Sequence, residues 1–235
     1  MSYSPAPLIQ SITSVASHWR FTPAKLSLLC QRAKIILKLQ KYTFQLPQYR
    51  FTTLPYSSLY KKFPIHKLPK ANESTPQHYF NHFIQHHFSQ VTPIFTNRSR
   101  SQLGTGAAVW IPSSSTSLSL SLISFTSIFH AEQLAISTAL HHIRTYYSSG
   151  SFLIISDSLS ALQSINSLPL NTGPSLAPPI ILILNTTPHL SFNFLWIPSH
   201  FGISHNEKAD SLAKNAILSS SPFKLLATSD ILSVT

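Results

Sequence analysis

The stretch FLIISDSLSALQSI, residues 152–165, decides the fold. Phe152, Leu153, Ile154 and Ile155 form an uninterrupted apolar run closed by Ser156 and Asp157. A run of that length without alternation fits a central strand buried on both faces, as in sheets covered by helices on each side. Leu159, Leu162 and Ile165 then recur at helical spacing, so the strand feeds a short helix. Just upstream, HAEQLAISTALHHIRTYY (130–147) puts Ile136, Leu140, Ile143 and Tyr147 on one helical face. A helix leading into a buried strand implies a crossover back to a parallel neighbour.

Working outward, VTPIFTN (91–97) and GAAVWIP (106–112) read as two strands, and SLSLSLISF (117–125) as a third. In that third strand Leu118, Leu120 and Leu122 alternate with Ser119 and Ser121, as a half-buried strand requires. Three strands with short joins form an antiparallel meander. Pro178 and Pro179 suit the first turn of a further helix. Leu190, Phe192, Phe194 and Trp196 alternate along a last strand, and HNEKADSLAKNAIL (205–218) closes as a helix with Ala209, Leu212, Ala213, Ala216 and Ile217 facing inward. The order predicts an α/β domain over residues 78–220, with a five-stranded mixed sheet and flanking helices, followed by a tail over 221–235.

Residues 1–77 read differently. From Pro23 to about Tyr42, Leu26, Leu29, Cys30, Ala33, Ile36 and Leu37 form a helical stripe with Lys25, Arg32, Lys34, Lys38 and Lys41 mostly off it, an amphipathic basic helix. Its charges serve either as a solvated face over a small packing stripe or as a docking surface for nucleic acid or a partner. Residues 43–77 mix Pro, Tyr, Lys and Ser without periodicity and read as an extended linker. QHYFNHFIQHHF (77–88) then places Phe80, Phe83, Ile84 and His87 at helical spacing, a helix that packs on the domain after it.

The 235 residues hold one domain or two small ones, and a 43% hydrophobic content suffices for a real core. One cysteine, Cys30, excludes an internal disulfide and a cysteine zinc cage, which suits an intracellular setting, nucleus and cytoplasm being indistinguishable. No stretch reaches the ~18 apolar residues of a membrane span, so no membrane partner is expected. The Ser-rich N-terminus is free of acid until Glu73 but lacks the dense Arg pattern of a transit peptide. The net charge of +11 invites nucleic acid, because Lys and Arg that neutralise phosphates release counterions. Part of that excess reflects base composition, since Asp, Glu, Gly and Val are scarce together and all use codons beginning with G.

In so acid-poor a chain the survivors carry information. Four of the six carboxylates, Glu132, Asp157, Glu207 and Asp210, fall near helix starts or strand ends, where an α/β sheet gathers residues along one edge. Each also has a structural role open to it: Glu132 and Glu207 at the positive end of a helix, Asp157 as a helix cap, Asp210 as a surface acid. Taken together, Glu132, Asp157 and Asp210 form a set of hard oxygen ligands suited to Mg²⁺.

Three blocks, SIFHAEQLAI (127–136), LIISDSLSALQSI (153–165) and FLWIPSHFGISHNEKADSLAKNA (194–216), resemble the signature motifs of type 1 ribonuclease H domains in non-LTR retrotransposon polyproteins. The similarity runs from about Val91 to Ala216, in order and near the usual separations. It implies a ribonuclease H-like fold and two-metal hydrolysis of the RNA strand of an RNA–DNA hybrid, with two Mg²⁺ ions held by four carboxylates and Mn²⁺ as an alternative. Glu132, Asp157 and Asp210 match three of the four. His200 matches the mobile histidine that assists proton transfer and product release, against a plain role as a surface loop residue. The fourth position departs: where the family's first strand reads IYTDGSK, this chain reads IFTNRSR (94–100), with Asn97 in the Asp place and Arg98 in the Gly place. An amide offers an oxygen but no charge to bridge two cations, so the resemblance implies damaged catalysis. The rival reading is a non-catalytic module of the same fold that grips nucleic acid without cutting it; a recently decayed reading frame and a transposase or integrase relative stand behind it. The basic, linker-rich 1–77 would then be a remnant of the region between polymerase and nuclease.

Overall fold

The computed structural model describes residues 62–69, 75–122, 124, 126–166 and 177–219. The basic helix expected over 23–42 and the tail 221–235 lie outside them. In chain order the elements are β1 (Ile65–Lys67), α1 (Pro76–His87), β2 (Thr92–Ser101), β3 (Gly104–Ile111), a 3-10 turn at Pro112–Ser114, β4 (Thr116–Leu122), α2 (Ile128–Tyr146), β5 (Gly150–Ser156), α3 (Leu159–Ile165), α4 (Ala177–Thr186), β6 (Leu190–Trp196) and α5 (Ser204–Leu218).

These strands form one mixed sheet in the order β1-β6-β5-β2-β3-β4. β2, β3 and β4 make the antiparallel meander, and β2, β5, β6 and β1 run parallel. The apolar run at 152–155 therefore lands where it should, in a strand flanked on both sides, with Ile154 opposite Ile94 and Phe194. Successive side chains of a strand point to opposite faces. Ile94, Phe152, Ile154 and Phe194 accordingly pack with Ile136, Leu140, Leu162 and Ile180 from α2, α3 and α4. On the other face Phe95, Leu153, Ile155 and Leu195 pack with Phe80 from α1 and Ala209 from α5.

The sheet has six strands where the sequence predicts five. The sixth, β1, lies in the stretch read as linker, pairs parallel with β6 and buries Phe63 and Leu68 beside it. Three residues are too few for a periodicity signal, which is why the strand is invisible in the sequence. What holds it is long-range: the Asn166 side chain takes a hydrogen bond from the Phe63 amide and gives one to the Phe63 carbonyl, both 2.8 Å, and the Phe63 ring meets Phe194 edge-on at 6.3 Å. Helix α1 turns Phe80 inward, as the spacing predicts, but His87 is exposed. A link the sequence does not reveal joins α1 to α5: the Gln77 carbonyl oxygen accepts the Ser204 amide at 2.7 Å, satisfying one of the free N–H groups of that helix start.

Helix α5 crosses β3 at unusually close range over Gly106. A Cβ built there would lie 2.0 Å from the Ala213 carbonyl oxygen. The contact is backbone to backbone, so only glycine fits unless the helix moves.

Candidate active site

Each candidate residue is placed by a different element. Asn97 lies within β2 and is almost fully buried, at 3% exposure. Its neighbours on the strand, Phe95 and Ser99, point to the same face, the one covered by α5, and its Nδ2 reaches the Oδ1 of Asn206 on that helix at 3.5 Å. Its own carbonyl oxygen is already used, accepting the Arg98 amide at 2.7 Å.

Arg98, one residue on, points to the opposite face and meets α2. There its Nε stands 3.3 Å from Oε1 of Glu132. Neither atom has a hydrogen bond, so the contact is an ion pair without donor alignment. Glu132 lies in the second turn of α2, whose first turn is capped by Ser127, and it is fully buried. Burial pushes its carboxyl well above the ordinary range, and the neighbouring Asp157 pushes the same way through charge and a shared hydrogen bond; Arg98 pulls it down, as does, more weakly, Ser156. The Ser156 hydroxyl reaches Glu132 Oε2 at 3.5 Å.

Asp157 stands directly after β5. It does not cap the following helix: Ser158 does, accepting the Ala161 amide. Instead Asp157 is fixed from two directions, its Oδ2 accepting from the Ser199 hydroxyl at 2.8 Å and its main-chain carbonyl from the Trp196 indole at 3.0 Å. Its carboxylate is thus tied to the loop that carries His200. His200 is exposed and has a left-handed backbone, φ 53°, followed by Gly202 at φ 76°. A histidine tolerates that region better than a branched residue, and the two left-handed positions turn the loop sharply.

Asp210 lies on α5 one helical turn beyond Asn206, so both project from the same face. Its Oδ2 is paired with Lys214, i to i+4 on the helix, which also raises the lysine's affinity for its proton.

The geometry therefore joins Arg98, Glu132, Ser156, Asp157 and Ser199 directly, and joins Asn97 to Asn206. Among the described residues no group of three or more His, Cys, Asp or Glu side chains is close enough to hold a metal ion. The buried, unpartnered Oε1 of Glu132 is a ligand atom in waiting, yet its neighbouring cation is Arg98, Asn97 adds no charge, and Asp210 is spent on Lys214. As they stand, these residues do not fit two divalent ions. Asn206, Ser156 and Ser199 are the site residues the sequence reading omits. The first left one signal, its position four residues before Asp210; the serines, common throughout this chain, left none.

A family model for RNase H matches residues 90–218, more than half of the chain. No curated protein matches it.

Proposed function

Because this chain belongs to the RNase H family, whose members hydrolyse nucleic acid and generally depend on divalent metal, we propose that it is a retrotransposon-derived RNA–DNA hybrid ribonuclease domain with impaired cleavage. It grips hybrid through phosphates and 2′-hydroxyls. It cuts the RNA strand slowly, leaving 3′-hydroxyl and 5′-phosphate ends. Residues 1–77 are a flanking remnant of the longer polyprotein, with β1 recruited into the sheet.

The observation that carries this reading is the pair of substitutions at 97 and 98 seen in place. Asn97 brings a neutral amide to the strand position where the family has an aspartate, and Arg98 sets its guanidinium against Glu132 at 3.3 Å. The site has lost one negative charge and supplied its own cation for another. In our reading Glu132 and Asp157 remain the acidic pair beside the scissile phosphate, Asp210 completes the set once Lys214 swings away, and His200 on its exposed turn hands a proton to the leaving oxygen.

The same ion pair favours the second reading, a non-catalytic binding module, if Arg98 never yields. One assay separates the two. A hybrid labelled on its RNA strand is incubated with Mg²⁺ or Mn²⁺ and either the wild type or Asn97→Asp. Slow wild-type cleavage that rises with Asn97→Asp supports the impaired enzyme; no cleavage by either, with hybrid still bound, supports the module. Wild-type turnover equal to that of Asn97→Asp overturns the assignment of Asn97 as the damaged position.

A further inference from the structure

Beyond the family-matched 90–218, residues 62–88 add a feature of their own. The edge strand β1, the far end of α1 and the neighbouring strand β6 enclose an open groove of about 520 Å³. Its polar lining is His66, Lys67, His87 and Asn193, its floor is Phe83 and Phe88, and among the described residues no carboxylate contributes. Ring contacts shape the groove: the His66 ring packs edge-on against Phe88 at 5.1 Å, and the Phe83 and His87 rings meet at 4.7 Å. Lys67 and His87 are exposed, while His66 and Phe83 are half-buried, so cation and ring edges face solvent together.

Its place in the sheet links it to the candidate site. Lys67 lies opposite Trp196, Trp196 opposite Ser156, and Ser156 is followed by Asp157, whose carbonyl the Trp196 indole holds. Two strand spacings, roughly 10 Å, therefore separate the Lys67 backbone from that of Ser156 along one row of the sheet. A strand of nucleic acid leaving the site in this direction would reach Lys67 at the edge of the sheet, the rim from which the groove opens toward α1.

We propose that this groove is a docking site for single-stranded nucleic acid, the unpaired continuation of a strand whose duplex part lies on the RNase H domain. Charge complementarity selects the occupant: the Lys67 cation, with no acid among the described lining residues, suits phosphates, and aromatic edges beside it suit unstacked bases, the combination that non-specific single-strand sites use. Its volume is within the range of small-ligand sites, enough for about one nucleotide at a time. The inference rests on the nucleic-acid reading of the domain, and the experiment separates the two.

Fluorescence anisotropy with the full chain compares a blunt RNA–DNA hybrid with the same hybrid carrying a single-stranded extension at either end of either strand. For at least one polarity the extension is expected to tighten binding about tenfold, the size of one stacked base. Lys67→Glu with His87→Glu should abolish that gain and leave blunt-hybrid affinity within twofold. Both positions are exposed, and unchanged thermal melting of the double variant checks that the fold is intact. Blunt hybrid bound with no gain from any extension, or a gain that survives the double variant, overturns the groove alone. Failure to bind any of the duplexes overturns the domain reading and the groove with it.

Discussion

In the proposed reading, Asn97 and Arg98 separate the site this chain carries from the family's. Restoring the charge with Asn97→Asp returns a carboxylate to β2 beside Asn206 of α5, and the RNA-strand cleavage rate should rise by more than the ~10–100-fold that loss of an outer-shell partner typically costs. Arg98 limits that rescue, because its guanidinium already occupies the neighbourhood of Glu132 Oε1. Adding Arg98→Gly should therefore raise the rate further, and single-turnover assays of the three proteins side by side read the difference. Glu132 makes a second prediction. Its carboxyl is held well above its ordinary value, mainly by burial and Asp157, so the folded protein binds this proton more tightly than the unfolded chain. That contribution is complete below the unfolded value of about 4.5 and is lost as pH rises through the folded one. Glu132→Gln removes the buried charge while Arg98, a third exposed, keeps contact with water. In chelator, the variant should melt higher than wild type at pH 8, by the ~0.5–2 kcal/mol typical of relieved functional sites, and equally at pH 4. A lower melting temperature at pH 8 would mean that the Arg98 ion pair outweighs the cost of burying the charge.

The elements show where sequence periodicity sufficed and where it failed. β5 and α2 were legible because long apolar runs at period 1 and 3.6 leave little choice, and the meander because Leu118, Leu120 and Leu122 alternate with serines. β1 was not, since its three residues are anchored through the neighbouring Phe63 to Asn166 and Phe194, each more than a hundred positions from Phe63. Asn166→Ala should cost about 1–3 kcal/mol by leaving Phe63 backbone groups unpaired. Hydrogen exchange should then show amides 63–68 opening while β2, β5 and β6 stay protected. For the candidate site the sequence picks out Asn97, Glu132, Asp157, Asp210 and His200 by residue type and order but says nothing of the partners the structure gives them. That Arg98 would cross to the α2 face follows from strand alternation only once the neighbour of Asn97 is known to be α5. The close crossing of α5 over β3 gives a further test. Gly106→Ala demands a shift of the helix by more than an ångström, because the obstacle is the Ala213 carbonyl rather than a flexible side chain. Overpacking of this kind costs about 1–3 kcal/mol or more, and it should displace Asp210 and Asn206 with the helix, lowering both melting temperature and any cleavage.

For the whole molecule, the two layers divide the labour. The α2, α3 and α4 face holds the larger apolar core together with the Arg98–Glu132 pair, whereas the α1 and α5 face carries Asn206, Asp210 and the groove at its edge. The positive charge of the chain is spread widely enough that binding should not depend on residue 97. Affinity for hybrid should fall steeply with salt and be the same for wild type and Asn97→Asp. In the proposed reading residues 97 and 98 cost the site its metal and little else. Mn²⁺ titration followed by electron paramagnetic resonance, with hybrid whose RNA strand is 2′-O-methylated and so resists cleavage, measures that directly. The wild type is expected to bind Mn²⁺ at least about tenfold more weakly than Asn97→Asp combined with Arg98→Gly, the lower end of what even outer-shell losses produce. Equal affinity and equal stoichiometry in the two proteins would contradict it.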